Sequence, residues 1–352
     1  MTEKSLIPRV NNFDLIRLVA ALQVVFMHGF FHLKINNEFL KIFFEKFIQY
    51  FPGVPIFFTV SGFLIFWAFD RNPNLNKYVT NRILRLYPAL YICLLITILL
   101  LFLFSTRSLI NQTSFYIWLA AQMSFFQFYT PEILRFWGVG TPNGSLWTIA
   151  VEVQFYILVP IIYFLMKRVK GSYVLFFFFL TSVCANIYFS NINIGTLSKL
   201  SGVSILPYLF NFLVGSFFYF YWNKLKIIIE NKFLVWISAY IIYFNIFGNF
   251  LGYQINSYHI INVFNFISVI FLSITTLSFA FSFNSLSERL LKRQDISYGI
   301  YIYHMLVVNT LVTLGLQGSL FSFISVFTIT ILLSLLSWNF IEKKALSLKS
   351  KK

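Results

Sequence analysis

The sequence predicts an all-α, polytopic membrane protein with about ten transmembrane helices and both termini on the cytoplasmic side. Three observations predict it. Of 352 residues, 59% are hydrophobic, 21% aromatic and only 11% charged, outside the range of soluble globular chains. Long, nearly uncharged runs recur along the whole chain, each able to cross a hydrocarbon core of ~30 Å. Basic residues collect in alternate loops, the pattern that sets orientation in a membrane. An outer-membrane barrel would show alternating segments of ~10 residues instead.

The first apolar segment, 13–33, carries ionisable residues that a lipid-facing helix would avoid, among them Arg17 and His28. Their spacing puts them within about 20° of one helical face and roughly 16 Å apart along the axis, so one stripe of this helix faces something polar. The segment is too long for a cleavable signal peptide and lacks a small-residue exit site, so it reads as an uncleaved first span. Segment 50–69 opens with Pro52, Gly53 and Pro55 and carries Ser61-Gly62 at mid-span. That small pair suits either a close helix contact or the close approach of a ligand. Before segment 84–104, "NRILRLYP" stacks Arg82 and Arg85 on one face of a helix start, a pattern suited to topology signalling or to phosphate recognition.

Segment 114–128 is too short to span and lies in the one long outer stretch, 105–146, which also holds the turn-forming "TPNGS". Trp137 and Trp147 near it suit a membrane interface. Segment 147–166 begins "SLWTIAVEVQFY" and runs inward, placing Glu152 ~7 Å below the outer boundary. His28 lies at the same depth, roughly 22 Å from the inner side, so the two are expected to share a cavity. Segments 172–190, 203–222, 233–251 and 260–282 carry no such groups. Segment 297–316, opening "SYGIYIYHM", puts His304 ~10 Å into its span beside Tyr298, Tyr301 and Tyr303, with Tyr301 on roughly the same face. Segment 319–341 completes the set.

If 114–128 does not span, the cytoplasmic stretches hold most of the 27 basic residues: Lys4, Arg9 and Arg17, then the clusters within 70–85, 167–170, 223–232 and 289–293, and the C-terminal tail with Lys351 and Lys352. The outside keeps Lys34, Lys41, Lys46, Arg107, Arg135 and Lys199. This distribution also accounts for the net charge of +16 through topology and anionic lipid headgroups, which argues against nucleic acid as a partner. Cys93 and Cys184 both lie in apolar runs and read as packing residues. Residues 1–352 are expected to form a single integral-membrane domain with no appended soluble domain, and no metal site is indicated.

These stretches, in this order, resemble the membrane-bound acyltransferase-3 family. The resemblance covers essentially the whole chain and rests on Arg17 and His28, "FFTVSGFLI", "NRILRLYP", "SLWTIAVEVQFY" with Glu152, and "SYGIYIYHM". It implies an enzyme of the bacterial inner membrane that moves an acyl group, most often acetyl, from cytoplasmic acetyl-CoA to a hydroxyl of a cell-surface glycan such as a polysaccharide or lipopolysaccharide O-antigen. Under that reading His28 is the general base or a transient acyl carrier, with Glu152 orienting it and Arg17 completing the catalytic set. Arg82 and Arg85 hold the donor phosphates, and Ser61, Gly62, His304 and Tyr301 line the donor path. The alternative is a secondary transporter or flippase for a glycan or lipid precursor, against which stands the absence of matching Gly/Pro-broken helices in two halves.

Overall fold

A computed structural model describes residues 7–8, 10–105, 108–190, 195, 200–255, 262–283 and 285–349. Lys4, Arg9, Arg107, Lys199, Lys351 and Lys352 of the charge pattern lie outside them. Among the described residues the regular structure is all helical. In chain order the helices are α1 Phe13–His32, α2 Glu38–Lys46, α3 Gly53–Arg71, α4 Leu75–Phe104, α5 Thr113–Met123, α6 Trp147–Arg168, α7 Gly171–Ser190, α8 Leu209–Phe220, α9 Trp222–Ile229, α10 Phe233–Tyr243, α11 Val263–Ala280, α12 Leu286–Leu291, α13 Ser297–Thr313, α14 Leu320–Ser337 and α15 Lys343–Ser347. π-helical turns extend α10 over Phe244–Phe250 and join α14 to α15 over Trp338–Glu342.

Each of the ten predicted spans contains one of these helices. Among the described residues, eight stretches are long and apolar enough to cross a membrane. Of the remaining two predicted spans, α8 has 12 residues and α13 has 17. Segment 114–128 forms only α5, whose 11 residues rise roughly 16 Å, too little to cross. The largest departure from the predicted boundaries is at α4, which starts at Leu75 rather than at 84. Hydropathy registers only the apolar part of a helix, whereas the helix itself starts where the Asn74 side chain caps the backbone N–H of Lys77. Both cysteines are free thiols, Cys93 buried as expected and Cys184 exposed, so Cys184 does not serve internal packing. Trp137, expected at the interface, is instead fully buried.

The chain divides into two compact units. One draws on residues up to 20, on 45–73 and on 154–293. Its tightest crossing is α3 on α8. A Cβ on Gly62 would overlap the backbone carbonyl of Phe212, and one on Gly215 would overlap the carbonyl of Thr59. Ser216 Oγ donates to the Gly62 carbonyl at 3.1 Å, and Thr59 Oγ1 meets Ser273 Oγ of α11 at 2.9 Å. Small residues thus bring two backbones together where apolar burial alone gives helices in lipid little reason to associate. At the start of α1, the Asn12 side chain donates to Ser282 O at 2.5 Å and accepts from the Ser287 N–H at 2.8 Å, tying down the turn after α11. We expect Gly62→Val to lower the thermal midpoint and the monodisperse yield of the detergent-solubilised protein, with Gly62→Ala milder in the same direction. Both collide with backbone, which cannot swing aside. A thermal midpoint unchanged in Gly62→Val would contradict this packing.

The other unit draws on 21–44, on 74–153 and on the chain from 294 onward. Within it α13 packs on α14 and on α4, and the turn between α13 and α14 closes on the end of α1, where Gly318 N–H donates to the Leu33 carbonyl at 2.7 Å.

Candidate active site

The second unit is built around α13. The tract "SYGIYIYHM" is buried on every side, so its polar atoms must find partners inside the protein, and they do. The Tyr301 hydroxyl lies 2.6 Å from Thr148 Oγ1 and donates to the Ser145 carbonyl at 3.0 Å. Asn143 Nδ2 donates to the Ile302 carbonyl at 2.8 Å, and Ser145 Oγ to Asn143 Oδ1 at 2.7 Å. Two turns on, fully buried Asn309 donates to the carbonyls of Thr141 and Pro142, both at 2.9 Å, and accepts from the Val139 N–H at 3.0 Å. Gly138 N–H reaches Thr313 Oγ1 at 2.9 Å. Its φ of +59° and the overlap a Cβ would make with Asn309 explain the glycine there. The "GVGTPNGS" loop is therefore laced along one face of α13.

This bracing holds His304, which has no exposed surface. Its Nδ1 lies 2.7 Å from the Tyr301 carbonyl, and its Nε2 lies 2.7 Å from His28 Nδ1 of α1. The two rings are inclined by only 11° with centroids 5.0 Å apart. That separation is as large as the N···N distance and the two ring radii allow, so the rings meet edge to edge in nearly one plane. His32, one turn after His28, stands with its ring centroid 5.4 Å from that of His28. The sequence pairs His28 with Glu152; the structure puts His304 against it. Glu152 is half-buried on α6, and Tyr78 near the start of α4 lies close enough to feel both the Glu152 and the Arg82 charges.

At the other end of α13, Arg85 Nη2 meets Asp295 Oδ2 at 2.5 Å, with only 14% and 10% of the two side chains exposed. Asp295 Oδ1 accepts from Ser297 Oγ at 2.5 Å, and the guanidinium lies 5.9 Å from the Tyr298 ring centre. Glu342 is buried in the same electrostatic neighbourhood, with Oε1 accepting from Ser337 Oγ at 3.0 Å. Arg82 stands 5.7 Å over the Tyr78 ring.

Several of the donor-path expectations change accordingly. Gly62 is taken up by backbone contact with Phe212 and leaves no room for a ligand, while Ser61 beside it is half-buried. The Tyr301 hydroxyl is consumed by Thr148 and Ser145, His304 by His28, and the Arg85 charge by Asp295. Arg17 lies in the first unit, ion-paired with Asp14 one turn earlier on α1. Sequence reading missed His32, Thr148, Asp295, Asn309 and Glu342, and read Asn143 only as part of a turn. For Asp295 and Glu342 the scarcity of acids, 11 in 352 residues, was an available signal. Among the described residues no group of three or more His, Cys, Asp or Glu side chains is placed to hold a metal.

A family model for an acyltransferase domain matches residues 10–339. Nodulation protein 10 of Rhizobium leguminosarum bv. viciae is 31% identical over 97% of this chain and 94% of its own length. An O-acetyl transferase of Shigella phage Sf6 is 28% identical over 97% of this chain and 98% of its own. A peptidoglycan O-acetyltransferase of Listeria monocytogenes is 29% identical over 31% of this chain and 19% of its own. No solved structure matches the sequence significantly. With the family match spanning nearly all of a chain rich in membrane-crossing helices, the chain belongs to the acyltransferase-3 family of membrane acyltransferases.

Proposed function

We propose that this acyltransferase is an O-acetyltransferase of the bacterial inner membrane. It takes acetyl from acetyl-CoA on the cytoplasmic side and delivers it to a hydroxyl of a cell-surface glycan. The names of the relatives support the acetyl group and the oxygen acceptor. The observation that carries the chemistry is the His28 imidazole, hydrogen-bonded at 2.7 Å within the predominantly apolar helix α1. Such a group is costly at membrane depth and functional by default.

In the transfer, His28 removes the proton of the glycan hydroxyl as its oxygen attacks the thioester carbonyl. The tetrahedral intermediate then expels the CoA sulfur, which takes the proton back from His28. If His28 instead carries the acetyl group, the same nitrogen forms the transient acyl bond. Of the two arginines read as phosphate ligands, we assign Arg82, which stands over the Tyr78 ring near the start of α4, to the donor.

The test is purified protein in detergent with radiolabelled acetyl-CoA and extracted envelope glycan, with no ion gradient present. Release of CoA thiol together with glycan-dependent transfer of label is the expected result. No thiol release and no transfer with any envelope fraction would overturn the reading, and substrate movement that required a gradient would favour transport.

A further inference from the structure

We propose that His304 is the positioning residue of the transfer reaction. It holds His28 in the tautomer that leaves Nε2 free to act, and it shares the proton on Nδ1 when His28 becomes charged. The inference rests on the acetyl-transfer reading above.

The hydrogen bonds dictate the protonation. A backbone carbonyl can only accept, so the His304 nitrogen 2.7 Å from the Tyr301 oxygen, Nδ1, carries its hydrogen. A neutral imidazole has one N–H, which leaves His304 Nε2 with a lone pair. That lone pair faces His28 Nδ1 at 2.7 Å, so the hydrogen between the rings belongs to His28. The near-coplanar, edge-to-edge rings aim it along the lone-pair direction. His28 is therefore the Nδ1–H tautomer, and its Nε2 is the basic nitrogen.

The same wiring serves the reaction. When the glycan O–H bond breaks, its proton forms a new bond to His28 Nε2, and the resulting imidazolium already points its Nδ1–H at His304. The proton between the rings moves toward His304 Nε2, spreading the positive charge over both rings. The Nδ1–H of His304 stays on the Tyr301 carbonyl, an acceptor that favours a cationic donor. As the C–O ester bond forms and the C–S bond breaks, the Nε2 proton passes to the thiolate sulfur, giving CoA thiol and returning both histidines to their starting tautomers. A carboxylate partner would do similar work but would bury a charge before any reaction began; a neutral imidazole does not. The Asn143–Thr148 segment fixes the pair by holding Tyr301 and Ile302.

The experiment has two arms. In ¹⁵N-histidine-labelled full-length protein in nanodiscs, NMR should find both His28 and His304 protonated at Nδ1. For kinetics, His304→Phe removes the acceptor, and His304→Gln offers a carbonyl oxygen to the same N–H. We expect His304→Phe to lower kcat by about 100-fold or more with the acetyl-CoA KM within about threefold, and His304→Gln to recover at least about tenfold of that loss. A His304→Phe enzyme with kcat within about threefold of wild type, or an Nε2–H tautomer at His28, would overturn the inference. Should His304→Phe fail to elute as a monodisperse species, the wild-type tautomers decide alone. A wild type that transfers no acetyl overturns the functional reading, and the NMR arm still answers for the histidine pair.

Discussion

We expect His28→Ala to abolish the proposed acetyl transfer while leaving an inserted, folded protein. A positioned general base contributes about 10²- to 10⁴-fold, which corresponds to roughly 3–5 kcal/mol in the barrier at 1.36 kcal/mol per factor of ten. The same substitution leaves His304 Nε2 without the partner it has at 2.7 Å, a stability cost of about 1–3 kcal/mol for a buried polar atom. The kinetic effect is therefore the larger one, and the two separate experimentally. Transfer of label from acetyl-CoA is measured well below the melting temperature, and the size-exclusion profile and thermal midpoint are recorded on the same preparation. Full activity in His28→Ala would remove both the base and the acyl-carrier mechanisms.

What the sequence made legible follows from what is local. Burial in lipid is a property of one segment at a time, so the helices appear where the apolar runs lie. The shortness of α5 likewise follows from a count of residues. Partnership is not local. Depth counting put Glu152 level with His28 and put His304 ~10 Å into its own span, yet His304 Nε2 is the atom 2.7 Å from His28. The counting assumed that every helix begins at the membrane boundary, and a 17-residue helix such as α13, rising about 25 Å, need not begin there. The hydrogen-bonded core histidine and the donor ligand also look alike in "SYGIYIYHM". Only the position of α1 separates them.

Ser61-Gly62 carried the same ambiguity, since a small residue admits a ligand and a neighbouring backbone equally well. The carbonyl of Phe212, far along the chain, decides it. Arg85 read as one of a basic pair because its neighbours in sequence are basic. Its actual partner, Asp295, comes 210 positions later, in a loop whose other charged residues are Lys292 and Arg293.

That pairing sets the second large effect. Arg85→Met leaves Asp295, 10% exposed, as an uncompensated acid with buried Glu342 close by. Glu342 Oε2 itself has no hydrogen-bond partner among the described residues. Removing one member of a buried ion pair costs about 3–5 kcal/mol, whereas removing both is often neutral. We therefore expect Arg85→Met to lower the thermal midpoint sharply, and Arg85→Met combined with Asp295→Asn to regain most of the loss, since asparagine can still accept from Ser297. A phosphate ligand would behave otherwise: Arg85→Met would raise the KM for acetyl-CoA at unchanged stability, and the second substitution would rescue nothing. Arg82 supplies the contrast. Losing a charge-assisted contact to the donor phosphates costs about 1.5–3 kcal/mol, so Arg82→Ala should raise the acetyl-CoA KM by roughly 10- to 150-fold. Thermal midpoints and acetyl-CoA titrations on the four proteins separate the outcomes. A stable Arg85→Met enzyme with weakened donor binding would return Arg85 to the donor site and leave its ion pair with Asp295 a resting contact that substrate displaces.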